Sequence, residues 1–412
     1  MFKLQKTVYR LLVLVFFCVL GQAGLRAQSV NDSVTVSLLT CSPGGEVYEL
    51  YGHTAVLVSV PGAVRTDSVV FNYGVFDETQ PNFIWRFMMG ETDYMVQAMP
   101  YFFFREEYER RGSEIICQQI NLSQEEALTL FAMLQEECFR NNGVYRYNFL
   151  TNNCTSKSND IVQAALEACG SRIRYKEQDK KTYRQSLHEY TQDSPWAQLG
   201  DDILLGANTD TLLDDHAMRF LPYHLKAYFD AASICDSMGT ARPLVQQTVT
   251  LLAKRDVVRE KGFPLSPVVC ALIFLGIMLL LFALEYWTKH MMWGLDILLM
   301  PSVGAAGLLI TFMFLFSEHP TLDSNWQIWV FNPLPLLCMP WVVLCAFKHK
   351  RCAYHYVYAA ILTLFLIAAP WIPQTFSSVT VVLALALLVR PLSYIFNFSR
   401  LKPRRVKPRK KK

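Results

Sequence analysis

Hydrophobic and polar positions are distributed very unevenly along this chain. After a basic start, residues 11–20 are apolar and small residues follow near Ala23 and Ala27, a pattern typical of a secretory signal over 1–27. Residues 28–262 mix apolar and polar positions as a globular domain does. Beyond them lie five apolar runs, each long enough to cross about 30 Å of hydrocarbon, at 265–287, 293–316, 328–347, 354–372 and 376–397. We therefore predict a soluble part followed by a five-span membrane domain over 263–399.

Charges in the loops between these runs predict the orientation of the membrane domain. Lys289 follows the first run, three Lys or Arg residues lie in 348–351 after the third, and nine lie in the tail 400–412 after the fifth. The loop 317–327 and the loop after the fourth run contain no Lys or Arg. Because basic loops stay in the cytoplasm, the tail is predicted to be cytoplasmic. Residues 28–262 and the loop 317–327 are predicted to face the opposite side.

The soluble part has the pattern of an α+β domain. Its first 148 residues (28–175) contain short β-branched runs separated by turns, and amphipathic helices with capping signals follow them. We predict strands at 34–39, 53–60, 69–73, 94–99, 115–120 and 145–147, and helices at 81–90, 102–111, 123–140 and 154–168. Residues 176–262 are less patterned and are predicted to be a helical extension leading to the membrane.

Composition excludes several functions. Over 27–264 the chain has 31 acidic and 21 basic residues, so the positive charges behind the formal net charge of +4 lie outside this region, nine of them in the tail 400–412. A basic tail directly after a membrane span predicts an anchor at the cytoplasmic surface, and no nucleic-acid partner. The 11 cysteines include no CxxC pair or zinc-like spacing, and there is no glycine-rich phosphate loop. We predict no metal and no cofactor; the disulfide pairing cannot be derived from the sequence.

Two short segments carry the candidate chemistry. His53 lies at the start of an apolar strand, and Cys154 follows two asparagines at the start of a predicted helix. Free N–H groups and the helix dipole at such a start lower the pKa of a thiol. A thiolate with an imidazole in reach is a nucleophile for acyl chemistry, with the imidazole as its general base. Asn153 and Thr155 flank Cys154 at this helix start, and Asn153 is a natural N-cap residue.

A third residue should orient the imidazole. Asn72 on the next predicted strand is the candidate, and Asp77 and Gln118 are alternatives. On the membrane side, Glu318 and His319 lie at the outer end of a span. They are either part of a solvated loop or part of a polar pocket at headgroup depth.

At these residues the chain resembles a known family. A histidine on an early strand followed much later by Asn-Cys at a helix start is similar to the circularly permuted papain-like enzymes typified by lecithin:retinol acyltransferase. The chain more closely resembles the Lnb-type lipoprotein N-acyltransferases, which share its order of secretory signal, periplasmic domain and membrane domain. The similar segments are 51–55 (YGHTA), 71–76 (FNYGVF), 81–83 (PNF), 118–122 (QQINL), 145–149 (YRYNF) and 152–155 (NNCT). One position departs from the retinol-type pattern, because no second histidine follows on the next strand.

The resemblance implies a fold, a place and a reaction. It implies a permuted papain-like domain in the periplasm of a bacterium, held by a multi-pass anchor in the inner membrane. An acyl chain would pass from a phospholipid to Cys154, and then to the α-amino group of a diacylated lipoprotein, with His53 moving the protons. Backbone N–H groups at the helix start, around Asn153 and Thr155, would hold the oxyanion. On the residues alone two alternatives stay open: a membrane-tethered cysteine peptidase or amidase, and a non-catalytic scaffold that binds lipoproteins.

Overall fold

A computed structural model describes residues 34–60, 68–77, 79–256 and 262–400. The predicted signal over 1–27 and the tail beyond residue 400 lie outside the described residues. Within these ranges an α+β domain comes first and five long apolar helices follow, as the sequence predicts.

An antiparallel sheet of seven described strands forms the centre of the soluble domain. Its spatial order is β10-β5-β1-β2-β3-β4-β6, so the first four strands of the chain lie side by side in its middle. A smaller sheet contains β7, β8 and β9. The strands are β1 (Thr35–Cys41), β2 (His53–Ser59), β3 (Ser68–Val75), β4 (Asp93–Pro100), β5 (Ile115–Ile120), β6 (Val144–Arg146), β7 (Arg172–Arg174), β8 (Ser233–Cys235), β9 (Ala241–Pro243) and β10 (Val245–Leu252).

Helices cover both faces of the main sheet because its strands alternate apolar side chains toward each face. On one face Val56 and Phe71 pack with α3, α4 and α7; on the other, Leu57 and Val70 pack with Phe104 of α2. The helices of the soluble domain are α1 (Phe83–Met89), α2 (Tyr101–Arg111), α3 (Gln124–Phe139), α4 (Cys154–Ala168), α5 (Tyr183–Thr191), α6 (Pro195–Leu204) and α7 (Pro222–Ala231).

The segment 176–262 differs from its predicted form. It contains the helices α5 to α7, but after them the chain returns as β8, β9 and β10. Strand β10 pairs with β5 along the edge of the main sheet. The predicted helical extension is therefore wrong from β8 onward, and residue 175 does not separate two structural units because β7 (Arg172–Arg174) pairs with β8. β10 is hard to recognise because most of its side chains are exposed and four of its eight residues are polar.

The five predicted membrane runs are helical. The structure has candidate spans of 19 to 24 residues at Pro267–Thr288, Trp293–Phe316, Trp326–Phe347, Ala353–Trp371 and Ser378–Asn397. Their α-helical parts are α8 (Pro267–Thr288), α9 (Trp293–Phe316), α10 (Leu334–Phe347), α11 (Ala353–Ala368) and α12 (Ser378–Asn397). The third span opens with a 3-10 turn at Trp326–Trp329 because Pro333 and Pro335 delay the α-helix.

A buried ionic cluster joins three of these helices at the end remote from the soluble domain. Arg390 of α12 binds Asp296 of α9 at 2.6 and 2.7 Å and Glu285 of α8 at 2.7 Å. Ser393 donates to the same Glu285 carboxylate. In hydrocarbon such groups must be paired, so the cluster fixes these three helices relative to one another.

Loops of the membrane domain contact the soluble domain at α1 and at α6. At the first, the α1 contact, the loop after α9 reaches the end of α1: Ser317 Oγ donates to the Met88 carbonyl at 2.8 Å, and the Glu318 N–H donates to the Met89 carbonyl at 2.8 Å. His319 Nε2 donates to the Phe87 carbonyl at 2.7 Å.

At the second place, the α6 contact, side chains from the loops after α9 and α11 bind backbone carbonyls at the end of α6. Asn325 Nδ2 donates to the carbonyls of Ile203 (2.8 Å) and Leu204 (3.0 Å), and Gln374 Nε2 donates to that of Leu205 at 3.2 Å. Gly206 lies so close to this loop that a Cβ atom would stand 2.1 Å from the Thr321 carbonyl oxygen.

Candidate active site

His53 and Asn72 meet on neighbouring strands of the main sheet. His53 opens β2, Asn72 lies within β3, and both face the side covered by α2. The Nε2 atom of His53 donates to Asn72 Oδ1 at 2.6 Å. Because Nε2 is occupied in this way, Nδ1 is the ring nitrogen left for the cysteine.

Cys154 lies at the first position of α4, beside the same ring. Its sulfur lies close enough to the His53 side chain and to the Thr54 backbone N–H for both groups to lower the pKa of the thiol. Gly74 lies between the two residues: a Cβ atom built on it would stand 3.6 Å from the Cys154 Cβ and 3.8 Å from the His53 Cε1. The three elements β2, β3 and α4 therefore meet at one point, with cysteine, histidine and asparagine in contact there.

Gly74 lies at an irregularity in the pairing of β3 with β4, which explains why a glycine is needed there. The register of β3 against β4 shifts between Asn72 and Val75, and Gly74 has φ +89°. Bulges of this kind bend a strand and favour glycine where φ is positive. The bulge lets the backbone pass close to Cys154 and His53, where any other residue would place a side chain between strand and site.

The electrostatics favour an ionised pair. Burial raises the pKa of the Cys154 thiol. The charge and hydrogen bond of His53 and the Thr54 N–H outweigh this effect, so the pKa is lowered to about 7. Burial lowers the pKa of His53, yet the Cys154 thiolate and the Asn72 hydrogen bond outweigh it and raise the pKa above its usual value. Near neutral pH the sulfur and the ring stabilise each other's charge.

Asn153 builds the start of the cysteine helix. Its Oδ1 accepts from the N–H groups of Thr155 (2.8 Å) and Ser156 (3.0 Å), and its Nδ2 donates to the carbonyls of Phe149 (2.7 Å) and Phe220 (3.0 Å). The side chain is buried, so these bonds hold it in one orientation. The Thr155 N–H, which we expected to be available to an oxyanion, is therefore already occupied by the Asn153 side chain. The cap leaves the N–H of Cys154 itself as the helix-start donor.

The Thr155 hydroxyl has a different partner. Its Oγ1 lies 3.0 Å from Thr54 Oγ1 and 3.8 Å from the Cys154 sulfur. The two threonines thereby connect the start of α4 to β2, the strand that carries His53.

Aromatic rings of α2 form the wall behind the histidine. The Tyr108 ring stacks on the His53 ring with centroids 6.2 Å apart and an interplanar angle of 22°, and Phe104 lies 6.5 Å away. Both aromatic side chains are buried. They restrict the ring to the plane in which it meets Asn72 and Cys154.

The two alternative third residues lie elsewhere. Gln118 is buried in β5, where its Nε2 donates to Asp230 Oδ1 at 2.7 Å and to the Lys226 carbonyl at 3.1 Å. Asp77 accepts from Thr79 just beyond β3. Of the three candidates, Asn72 is the one hydrogen-bonded to His53.

Glu318 and His319 take part in the α1 contact. The Glu318 side chain is exposed and lies 3.9 Å from Arg146, while His319 binds the Phe87 carbonyl. Their place is between the membrane domain and α1, and the polar pocket at headgroup depth stays a prediction. Among the described residues, no group of three His, Cys, Asp or Glu side chains is placed to hold a metal ion.

Sequence reasoning missed three residues of this site: Thr54, Gly74 and Tyr108. Thr54 and Gly74 lie inside the segments 51–55 and 71–76, which are the neighbourhoods of His53 and Asn72, so adjacency was an available signal. Tyr108 gives no local signal, because its role depends on α2 packing back across the sheet.

The fold and the site together define a membrane-anchored α+β protein with a cysteine–histidine–asparagine constellation. Residues 22–191 match the model of the Lnb N-terminal periplasmic domain, and residues 258–401 match that of the Lnb transmembrane domain. Together the two matches cover well over half of the chain, which therefore belongs to the Lnb family. It is an inner-membrane protein of lipoprotein processing, with its first domain in the periplasm. No curated protein and no solved structure matches the chain significantly.

Proposed function

We propose that this protein is a lipoprotein N-acyltransferase that works through a thioester on Cys154. One observation carries the proposal: a cysteine paired with an oriented histidine opens a helix in a domain that rests on the outer loops of five membrane helices. A membrane-held nucleophile suits a reaction whose donor and acceptor both lie in the outer leaflet, because the anchor removes most of the cost of encounter.

The first half-reaction forms the thioester. The Cys154 thiolate attacks the carbonyl carbon of a phospholipid ester, and the oxyanion is held by the Cys154 N–H at the start of α4. The C–O bond then breaks, and protonated His53 gives its proton to the departing glycerol oxygen. Lysophospholipid leaves, the acyl group stays on sulfur, and His53 is neutral.

The second half-reaction transfers the acyl group to the lipoprotein. The neutral α-amine of the diacylglyceryl-modified cysteine attacks the thioester carbonyl and loses a proton to His53. The C–S bond breaks as the amide forms. The products are the N-acylated lipoprotein and the original thiolate–imidazolium pair, so atoms and charges balance over the cycle.

The same proposal fixes the orientation of the chain. With the first domain in the periplasm, five spans place the C-terminal tail in the cytoplasm. The nine basic residues of 400–412 suit that side, because the cytoplasmic leaflet carries anionic lipids.

The test is mass spectrometry of lipoprotein N-termini in a strain lacking the gene and complemented with full-length variants. Wild type is expected to restore the third acyl chain. Cys154→Ala and His53→Ala are expected to abolish it. Cys169→Ala, which removes the free cysteine just after the other end of α4, is the matched control and should restore it.

The alternatives give different results. A cysteine peptidase or amidase would leave lipoprotein acylation unchanged in the deletion strain. A binding scaffold would need the protein but not its sulfur, so Cys154→Ala would restore acylation fully. Either result would contradict the proposed transfer.

A further inference from the structure

A continuous row of aromatic rings leads away from Cys154. Tyr147 stacks on Tyr94 with centroids 4.0 Å apart, Tyr94 stacks on Phe76 at 5.0 Å, Phe76 stacks on Phe83 at 5.6 Å, and Phe83 stacks on Phe87 at 6.4 Å. We call these five residues the aromatic strip. It runs from Tyr147, just after β6, across β4 to Phe76, just after β3, and on to α1.

The strip begins at the site. Tyr147 directly precedes Asn148, whose backbone exchanges two hydrogen bonds (3.1 and 2.9 Å) with that of Asn152, two residues before Cys154. Phe76 follows two residues after Gly74, the glycine that lies against both Cys154 and His53. The inner end of the strip therefore lies next to the segments that carry Cys154 and Gly74.

The strip ends at the membrane helices. Phe87 packs against His319 of the loop after α9 with centroids 5.9 Å apart, and Trp85 packs against Phe312 of α9 at 5.2 Å. Phe312 lies about one helical turn before α9 ends at Phe316. Helix α1 is therefore at the level where aromatic side chains meet lipid headgroups.

The apolar side chains at this outer end are open to the surroundings. Ile84 is 75% exposed, Trp85 52% and Phe87 47%, and Phe76 in the middle of the strip is 37% exposed. A soluble protein rarely keeps such a patch exposed without a partner. Its continuity with the outer end of α9 makes lipid the partner that the chemistry favours.

We propose that the aromatic strip is the path along which the acyl chain of an outer-leaflet phospholipid reaches Cys154. This inference rests on the proposed function. The ester of a phospholipid lies at the boundary of headgroups and acyl chains, whereas Cys154 lies above it in the soluble domain. Each methylene group lifted out of the bilayer loses its apolar surroundings. The rings from Phe87 to Tyr147 replace those surroundings along the whole route.

The first experiment separates the path from the chemistry. Full-length protein is placed in vesicles of phosphatidylethanolamine and phosphatidylglycerol, and lysophospholipid release with a diacylated lipopeptide acceptor is measured. Phe76→Asp is expected to lower the rate about tenfold or more, the loss expected when apolar contact worth two methylene groups disappears. Phe103→Asp is the matched control: Phe103 is also exposed, at 59%, but lies on α2 away from the strip, and should retain the wild-type rate.

A soluble acyl donor tests whether the variant has a working site. Acetylation of Cys154 by p-nitrophenyl acetate needs no long acyl chain, so Phe76→Asp should lose far less of its rate in that reaction than in the reaction with phospholipid. If Phe76→Asp keeps its rate with phospholipid, or loses both reactions together, the strip is not the path.

The second experiment does not depend on turnover. A phosphatidylethanolamine with a diazirine in its acyl chain is incorporated into the same vesicles with the Cys154→Ala protein and irradiated. Label is expected on the peptides that contain Phe76 and Phe83, and label confined to α8–α12 would overturn the path. Label on the strip together with no acyl transfer by wild-type protein would instead refute the proposed function and leave the lipid path standing.

Discussion

Asn72 determines how His53 can serve Cys154. By accepting from Nε2 at 2.6 Å it leaves Nδ1 toward the sulfur, and the hydrogen bond also helps raise the pKa of the ring. The sequence was enough to propose this residue, since it lies on the strand after His53. It was not enough to choose it over Gln118 or Asp77, because that choice depends on strand register and on partners far away in the chain.

The ionisation of Cys154 gives a prediction at this scale. With a thiol pKa of about 7, alkylation by iodoacetamide should rise with pH and reach half its maximum near pH 7, since the thiolate reacts. In Asn72→Ala the pKa of His53 falls, the ring carries less positive charge, and the thiolate loses stabilisation. The midpoint should therefore move upward, toward the usual thiol pKa of 9.0.

Gln118→Ala is the control for this measurement, because Gln118 binds Asp230 and the Lys226 carbonyl away from the ring. Its midpoint should stay at the wild-type value. An Asn72→Ala midpoint equal to wild type would contradict the role assigned to the amide.

At the scale of elements, the site is a junction of two strands and one helix start. The periodicity of apolar residues predicted β2, β3 and α4 within a few residues of their observed bounds. The bulge at Gly74 and the pairing of β10 with β5 were not predictable in this way. A bulge is a mismatch between two strands, and an edge strand with few buried side chains has no apolar alternation to read.

The Asn153 cap gives a prediction for the helix that carries the cysteine. Asn153→Ala removes two hydrogen bonds to helix-start N–H groups, and the loss of such a cap typically lowers the free energy of unfolding by about 1–2 kcal/mol. It also leaves the Phe149 and Phe220 carbonyls without the side-chain amide. We expect a lower Tm in detergent, by about 2–4 °C for each kcal/mol, and slower alkylation of Cys154.

Ser123→Ala provides the matched control, because Ser123 caps α3 through the Glu126 N–H at 3.2 Å. It should lower the Tm by a similar amount and leave the alkylation rate unchanged. If Ser123→Ala slowed alkylation as much as Asn153→Ala, the effect would be general destabilisation and not the position of Cys154.

At the scale of the whole molecule, the α1 and α6 contacts hold the candidate active site at a fixed position relative to the membrane helices. The sequence predicted the spans, because long apolar runs are the strongest signal that a chain contains. It did not predict that Asn325 and Gln374 would bind backbone carbonyls at the end of α6, since such bonds leave no pattern in the sequence. From α6 the connection continues to the site: Tyr51, two residues before His53, hydrogen-bonds Asp201.

Gly206→Ala tests the α6 contact. The new Cβ would stand 2.1 Å from the Thr321 carbonyl oxygen and 2.7 Å from the Asn325 nitrogen, and backbone atoms cannot move aside as a flexible side chain can. The loop should separate from α6. We expect acyl transfer from vesicles to fall severalfold, while p-nitrophenyl acetate still acetylates Cys154 at the wild-type rate.

Gly200→Ala lies on α6 itself, where a Cβ meets nothing within 4 Å, and should behave as wild type. Equal transfer by Gly206→Ala and Gly200→Ala would mean that the α6 contact does not support the reaction.

The Arg390 cluster has a consequence for how the chain is assembled. Its two carboxylates, Glu285 and Asp296, enter with the first two spans, but the guanidinium that neutralises them is made about a hundred residues later, in the last one. Until α12 arrives, the early helices hold two charges that hydrocarbon does not tolerate. The membrane domain can therefore reach its final packing only after the last span is synthesised. A chain that ends before residue 378 lacks Arg390 and leaves Glu285 and Asp296 without their partner.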